Sequence, residues 1–144
     1  MCTIIRADQK GDFKTAKRNI RVYKYGKISE SKIHPDKLSF LSPFLKFNYE
    51  KDVEYKCNFS YSPMGDCFDD EEIDYLDRLR TSRKVPLYVG NGFHSISTCN
   101  KDRLYQSYTY HNIGMFIIPK GAHYYITPAH CVVSNALIFK SQIQ

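Results

Sequence analysis

The sequence predicts an α+β fold: a mostly antiparallel sheet, one amphipathic acidic helix over about 69–82, and a short second helix over about 98–107. Three observations predict it. Short apolar runs bounded by Gly, Pro and Asn turn signals recur along the chain, the pattern of strands. One segment, from Asp69 to Arg80, carries the helical period instead. The aromatic residues are 12 Tyr and 9 Phe with no Trp, types that favour pleated, half-buried surfaces. A length of 144 residues suits a single domain, 1–144, with residues 1–19 as a polar lead-in.

The lead-in has one short apolar start at Thr3-Ile4-Ile5, and Lys10-Gly11-Asp12 marks a turn. Ile20 to Tyr25 then alternates as a strand does and is expected to end at Gly26-Lys27. Ile20, Val22 and Lys24 share one of its faces; Arg21, Tyr23 and Tyr25 share the other. His34-Pro35-Asp36 reads as a turn, because the residue before a proline is pushed out of the helical region. Leu38 to Tyr49 is apolar but broken by Pro43, which predicts a short strand, a break, and a second strand over 44–49. Glu50-Lys51-Asp52 is a polar turn into Val53–Phe59, and the two flanking strands are expected to form a hairpin.

Ser62-Pro63-Met64-Gly65 closes that region. In the helical segment Asp69 can cap, with Glu72 three residues on. Acids crowd its first turn and Arg78, Arg80 and Arg83 its end, matching the helix dipole, while Ile73, Leu76 and Leu79 form a narrow apolar face. Val85–Val89 reads as a strand into the Gly90-Asn91-Gly92 turn, and Phe93–Ile96 continues it. Ser97 or Thr98 can cap the second helix. Strands over 113–118, 123–126, 132–133 and 136–140 follow, divided by Pro119-Lys120-Gly121 and Thr127-Pro128-Ala129-His130.

The formal charge of +6 is uneven. Residues 1–37 hold ten Lys/Arg against four Asp/Glu, whereas residues 61–84 hold seven acids against four bases. Such a basic arm can steer the chain toward anionic partners. No run approaches the roughly 18 apolar residues of a membrane-spanning helix, and the N-terminus lacks the pattern of a signal peptide. Five irregularly spaced cysteines, an odd number, point to reduced thiols and a cytoplasmic setting.

No catalytic constellation is expected, nor any metal or cofactor. No glutamate follows Glu72, and Asp102 is the only acid after Asp77. An ADP-ribosyltransferase-like site would want a late glutamate, and glycosidase chemistry a pair of facing carboxylates. Cysteine spacing gives no Cys-x-x-Cys. Gly-Asn-Gly lacks the Lys-Ser/Thr of a phosphate loop. His94 beside that turn is the residue most suited to a ligand pocket, with Gly92, Tyr88, Tyr124 and Tyr125; a hydrogen-bonded structural histidine is its other reading. Lys17, Arg18, Arg21, Tyr23, Tyr25 and Lys27 interleave cations with rings, as a partner-binding or single-strand nucleic-acid surface does.

Val22-Tyr23-Lys24, Ser42-Pro43-Phe44, Gly92-Phe93-His94-Ser95, Ile118-Pro119-Lys120-Gly121-Ala122 with Tyr124-Tyr125, and Val133-Ser134-Asn135 with Leu137-Ile138 occur in that order. In this the chain resembles a family of small, uncharacterised phage- and prophage-borne proteins also found in Bacteroidetes-like genomes. The resemblance implies a setting rather than a reaction. It favours a non-enzymatic, anti-CRISPR-like binding protein in the bacterial host cytoplasm, blocking a host defence protein or ribonucleoprotein complex. A nucleic-acid-binding module, and a nucleotide or ADP-ribosyltransferase-like pocket around His94, are the alternatives.

Overall fold

The computed structural model describes residues 4–6, 13–34, 36–43, 47–59, 61–63, 86–89, 92–98, 111–127 and 130–143, with 4–6, 61–63 and 86–89 described by their backbone. Every regular element among them is a strand: β1 (Ile4–Arg6), β2 (Lys14–Thr15), β3 (Ile20–Glu30), β4 (Leu38–Leu41), β5 (Asn48–Glu50), β6 (Glu54–Lys56) and β7 (Tyr61–Pro63), then β8 (Pro86–Val89), β9 (Phe93–Ile96), β10 (Asn112–Ile118), β11 (His123–Ile126), β12 (Cys131–Ser134) and β13 (Ala136–Gln142). Over the described residues the α+β expectation is therefore corrected to all-β. Period-two alternation carries the described residues. The expected acidic helix over about 69–82, and 99–107 of the expected second helix, lie outside the described residues. No helix among the described residues is long and apolar enough to cross a membrane.

β1, β8 and β7 form a three-stranded antiparallel sheet. The other ten strands follow the order β2-β11-β12-β9-β3-β10-β13-β6, with β4 joining β3 to β5. The pairings close on themselves. β3 pairs with β4, β4 with β5, β13 with β10, and β10 with β3. Between β5 and β13 the link is a parallel bridge from Lys51 to Phe139, with the Asp52 amide donating to the Phe139 carbonyl at 2.9 Å. Asn135 alone separates β12 from β13, so one run of chain pairs first with β9 and β11, then with β10 and β6.

The core lies inside this ring. Val22, Phe40, Phe116, Phe139, Ile118 and Leu137 are fully buried there, Tyr49 nearly so, and Val132 of β12 extends the same cluster. Phe40 stands edge-on to Phe116, with ring centres 4.9 Å apart, and Tyr49 edge-on to Phe116 at 5.1 Å. Two glycines make room for Phe40. A Cβ on Gly26 would stand 2.5 Å from its ring and 2.4 Å from the Leu41 carbonyl oxygen; one on Gly114 would stand 2.8 Å from the ring. Gly26 is thus a site of close approach and not a strand end, and β3 runs through it to Glu30.

The hairpin expected across residues 50–52 does not form. β5 pairs with β4 and β6 with β13, because the chain turns at Asp52 from the edge of β4 onto the free edge of β13, where Lys51 bridges Phe139 and Glu54 pairs with Ile138. Asp52 takes the left-handed conformation at φ 64° and accepts from Lys140 Nζ at 2.7 Å. The corner is braced by the Glu50 amide donating to the Tyr55 hydroxyl at 2.8 Å.

Candidate functional site

Strand alternation in β3 and pairing across the sheet define two surfaces. Directly paired residues share a face. Register thus places Arg21, Tyr23 and Tyr25 with Ile117, Met115 and Ile113 of β10, and Tyr23 with Ile96 of β9. Tyr23 and Tyr25 pack against buried Ile96 and Ile113 and are half-buried, while Arg21 and Lys27 stay exposed. Lys17 and Arg18, between β2 and β3, are also exposed. Arg21, Tyr23, Tyr25 and Lys27 thus share one face of the central strand, and Lys17 and Arg18 lie in the segment before it.

The residues expected around His94 divide. Tyr125, Val133 and His94 lie in one row across β11, β12 and β9, which puts His94 and Tyr125 on one face, roughly 10 Å apart across two strand spacings. Val133 between them is fully buried. Gly92 joins this face: a Cβ there would stand 2.3 Å from Val133 Cγ2 and 3.1 Å from the Phe59 ring. Phe59 stands edge-on to Phe13 at 4.7 Å, and Phe13 stacks on Tyr125 at 5.4 Å. Among the described residues this side is a set of packed rings. Tyr124 points the other way, onto the main core. Tyr88 pairs with Ile4 and Ser62 in the three-stranded sheet.

Lys24 departs from its apolar neighbours. It lies on the core face with Val22, its ammonium donates to the His94 carbonyl, and it stands 5.8 Å from the centre of the Tyr49 ring. Burial pulls its pKa from 10.5 down to about 8. One step past the Tyr23–Ile96 pair, the register sets Lys24 opposite Ser95. Ser95 is 1% exposed, and its hydroxyl has no hydrogen-bond partner among the described residues. Burial, then the neighbouring Cys57 and Tyr55, pushes the Tyr49 hydroxyl well up, which keeps it neutral. The sequence signal for this site was a lysine at an apolar position of an alternating strand.

A cleft of about 390 Å³ opens where the end of β6, the turn between β10 and β11, and the Asn135 junction meet. Its wall includes Lys56, Cys57, Lys120, His123 and Asn135. Sequence reading did not group these residues, because only the closed topology brings the three segments together. Burial raises the Cys57 thiol pKa against a backbone hydrogen bond from Phe93, so the thiol is not activated as a nucleophile. Among the described residues no three His, Cys, Asp or Glu side chains are grouped to hold a metal ion. No known protein family, curated protein or solved structure matches the chain.

Proposed function

We propose that this chain is a non-enzymatic binding protein that blocks a bacterial target by protein–protein contact, acting in the cytoplasm of a bacterial host. One observation carries the reading: Arg21, Tyr23, Tyr25 and Lys27 share a face of β3, with exposed Lys17 and Arg18 in the segment before it. Tyr23 and Tyr25 are seated on Ile96 and Ile113. Rings held in this way lose little side-chain entropy on binding, and Tyr and Arg are the residue types that dominate interface energetics. The partner surface is acidic, to complement the four cations. The resemblance to phage- and prophage-borne proteins supports a host defence protein or ribonucleoprotein complex as the target.

Affinity capture from bacterial lysate, with Arg21→Glu and Lys27→Glu run beside the unaltered chain, tests this. The proposal expects one complex recovered by the wild type and lost from both variants, with melting temperatures little changed. Equal recovery by wild type and variants would remove the β3 face from the reading.

A second reading rests on the spacing of the same residues. Tyr23 and Tyr25 stand about 7 Å apart along the strand with cations on either side, an arrangement that can stack successive bases of a single strand. It expects oligonucleotide affinity to fall steeply with salt, and the slope to shrink for Lys17→Ala and Arg18→Ala. A salt-independent or absent interaction rules it out.

A further inference from the structure

We propose that the cleft between β6, the β10–β11 turn and Asn135 is a binding site for a small phosphomonoester, separate from the β3 face. At about 390 Å³ the cleft falls within the range of small-ligand sites, toward its lower end. Its lining includes the small or flat residues Pro119, Gly121, Ala122 and Ala136.

The polar groups of that lining are biased toward donors. Lys120 projects from a turn set by its neighbours: Gly121 has φ 91°, and the Ala122 amide donates to the Pro119 carbonyl at 3.1 Å, as in a type II turn. The Lys120 amide is held by Asn19 Oδ1 at 3.0 Å, which fixes the turn. No carboxylate among the described residues lies within ion-pair distance of its ammonium. Asn135 accepts the His123 amide with its Oδ1 at 2.9 Å, so its Nδ2 is left as the donor end. His123 Nδ1 stands 3.2 Å from the Thr15 hydroxyl. With that hydroxyl donating to Nδ1, the neutral ring carries its proton on Nε2.

Lys56 adds a further cation, bridged to Glu54 at 3.3 Å in an exposed pair that gives little hold to either partner. Among the described residues Glu54 is the one carboxylate in the lining, and the raised pKa of Cys57 keeps that thiol neutral. Lys56, Lys120, His123 and Asn135 thus bring cations and donors from three segments to one lining. A phosphate, with its several acceptor oxygens and double charge, matches that set.

Amide chemical-shift titration of the full chain with adenosine 5′-monophosphate, ribose 5-phosphate, inorganic phosphate and adenosine tests the site. Saturable shifts at residues 119–123 and 135 are expected from the phosphomonoesters and none from adenosine. Lys120→Ala should weaken binding about tenfold, the loss of one charge-assisted hydrogen bond. Lys120→Arg should keep most of the affinity. Shifts confined to inorganic phosphate at high concentration would mean an adventitious ion only and overturn the proposal. So would adenosine binding as well as its phosphate, shifts gathered on Lys17, Arg18 and Arg21 instead, or no shift at millimolar ligand. Arg21→Glu, which tests the β3 interface, should leave this titration unchanged, so the two readings fail separately.

Discussion

Lys24→Met keeps the side-chain stem among its apolar neighbours and deletes the half-buried ammonium. The folded state holds the Lys24 pKa at about 8 against 10.5 for an ordinary lysine. A fall of that size corresponds to about 3 kcal/mol of penalty for the charged form. Below about pH 8 the lysine is protonated in both folded and unfolded chains, and the penalty is fully present. Between about 8 and 10.5 the unfolded chain binds a proton that the folded chain has released, so stability rises with pH. Above 10.5 both are neutral and the penalty is gone. At pH 7 the methionine variant escapes the penalty but leaves the His94 carbonyl without the Lys24 donor, a loss of about 1.5–3 kcal/mol for a bond to a charged group. The net effect at pH 7 is a change of about 1 kcal/mol or less. The decisive quantity is the difference between the two proteins, read from urea unfolding at half-unit steps from pH 6.5 to 10.5. Wild-type stability should climb relative to the variant by about 3 kcal/mol across the upper window. A difference that stays flat from pH 8 to 10.5 would refute the buried-ammonium argument outright.

Two further substitutions test the same core with opposite signs. Ser95→Ala removes a buried hydroxyl that has no partner among the described residues, and should raise the urea midpoint, by about 1 kcal/mol in stability; a loss of that size would show that the hydroxyl is satisfied. Gly26→Ala forces a Cβ to within 2.4 Å of the Leu41 carbonyl and 2.5 Å of the Phe40 ring, and should cost about 3 kcal/mol or more, measured by thermal melting. An unchanged melting temperature there would contradict the close approach of β3 and β4.

Strand positions were readable wherever side chains alternate between turn signals. Phe93–Ile96, His123–Ile126 and the Pro119-Lys120-Gly121 turn, with Gly121 left-handed as its place requires, follow from local chemistry. Partner choice was not local. Whether residues 48–56 make a hairpin depends on Phe139, whose carbonyl takes the Asp52 amide and draws the chain along the edge of β13. The β3 surface was legible because one strand's alternation sets it. The grouping around His94 was not, since Tyr124 and Tyr125 occupy opposite faces and Tyr88 belongs to another sheet. The cleft at Lys120 and His123 needed three separated segments, which no window along the chain contains.

The closed ring also governs how the chain can reach its fold. Thr15 meets His123 across 108 residues, Asn19 meets Lys120 across 101, and Ile28 meets Asn112 across 84. The central strand β3 therefore emerges from synthesis long before its main partner β10 exists. Loop-closure entropy on this scale must be overcome before any core contact repays it, which places folding on the millisecond-to-second scale typical of such non-local β topologies. Through that interval Ile20, Val22 and Tyr23 present an unpaired strand to any other chain nearby. The charges carried on the same strand, Arg21, Lys24 and Lys27, then act as guards against its self-association. Lys24, a burden half-buried beside the finished core, thus contributes before that core exists.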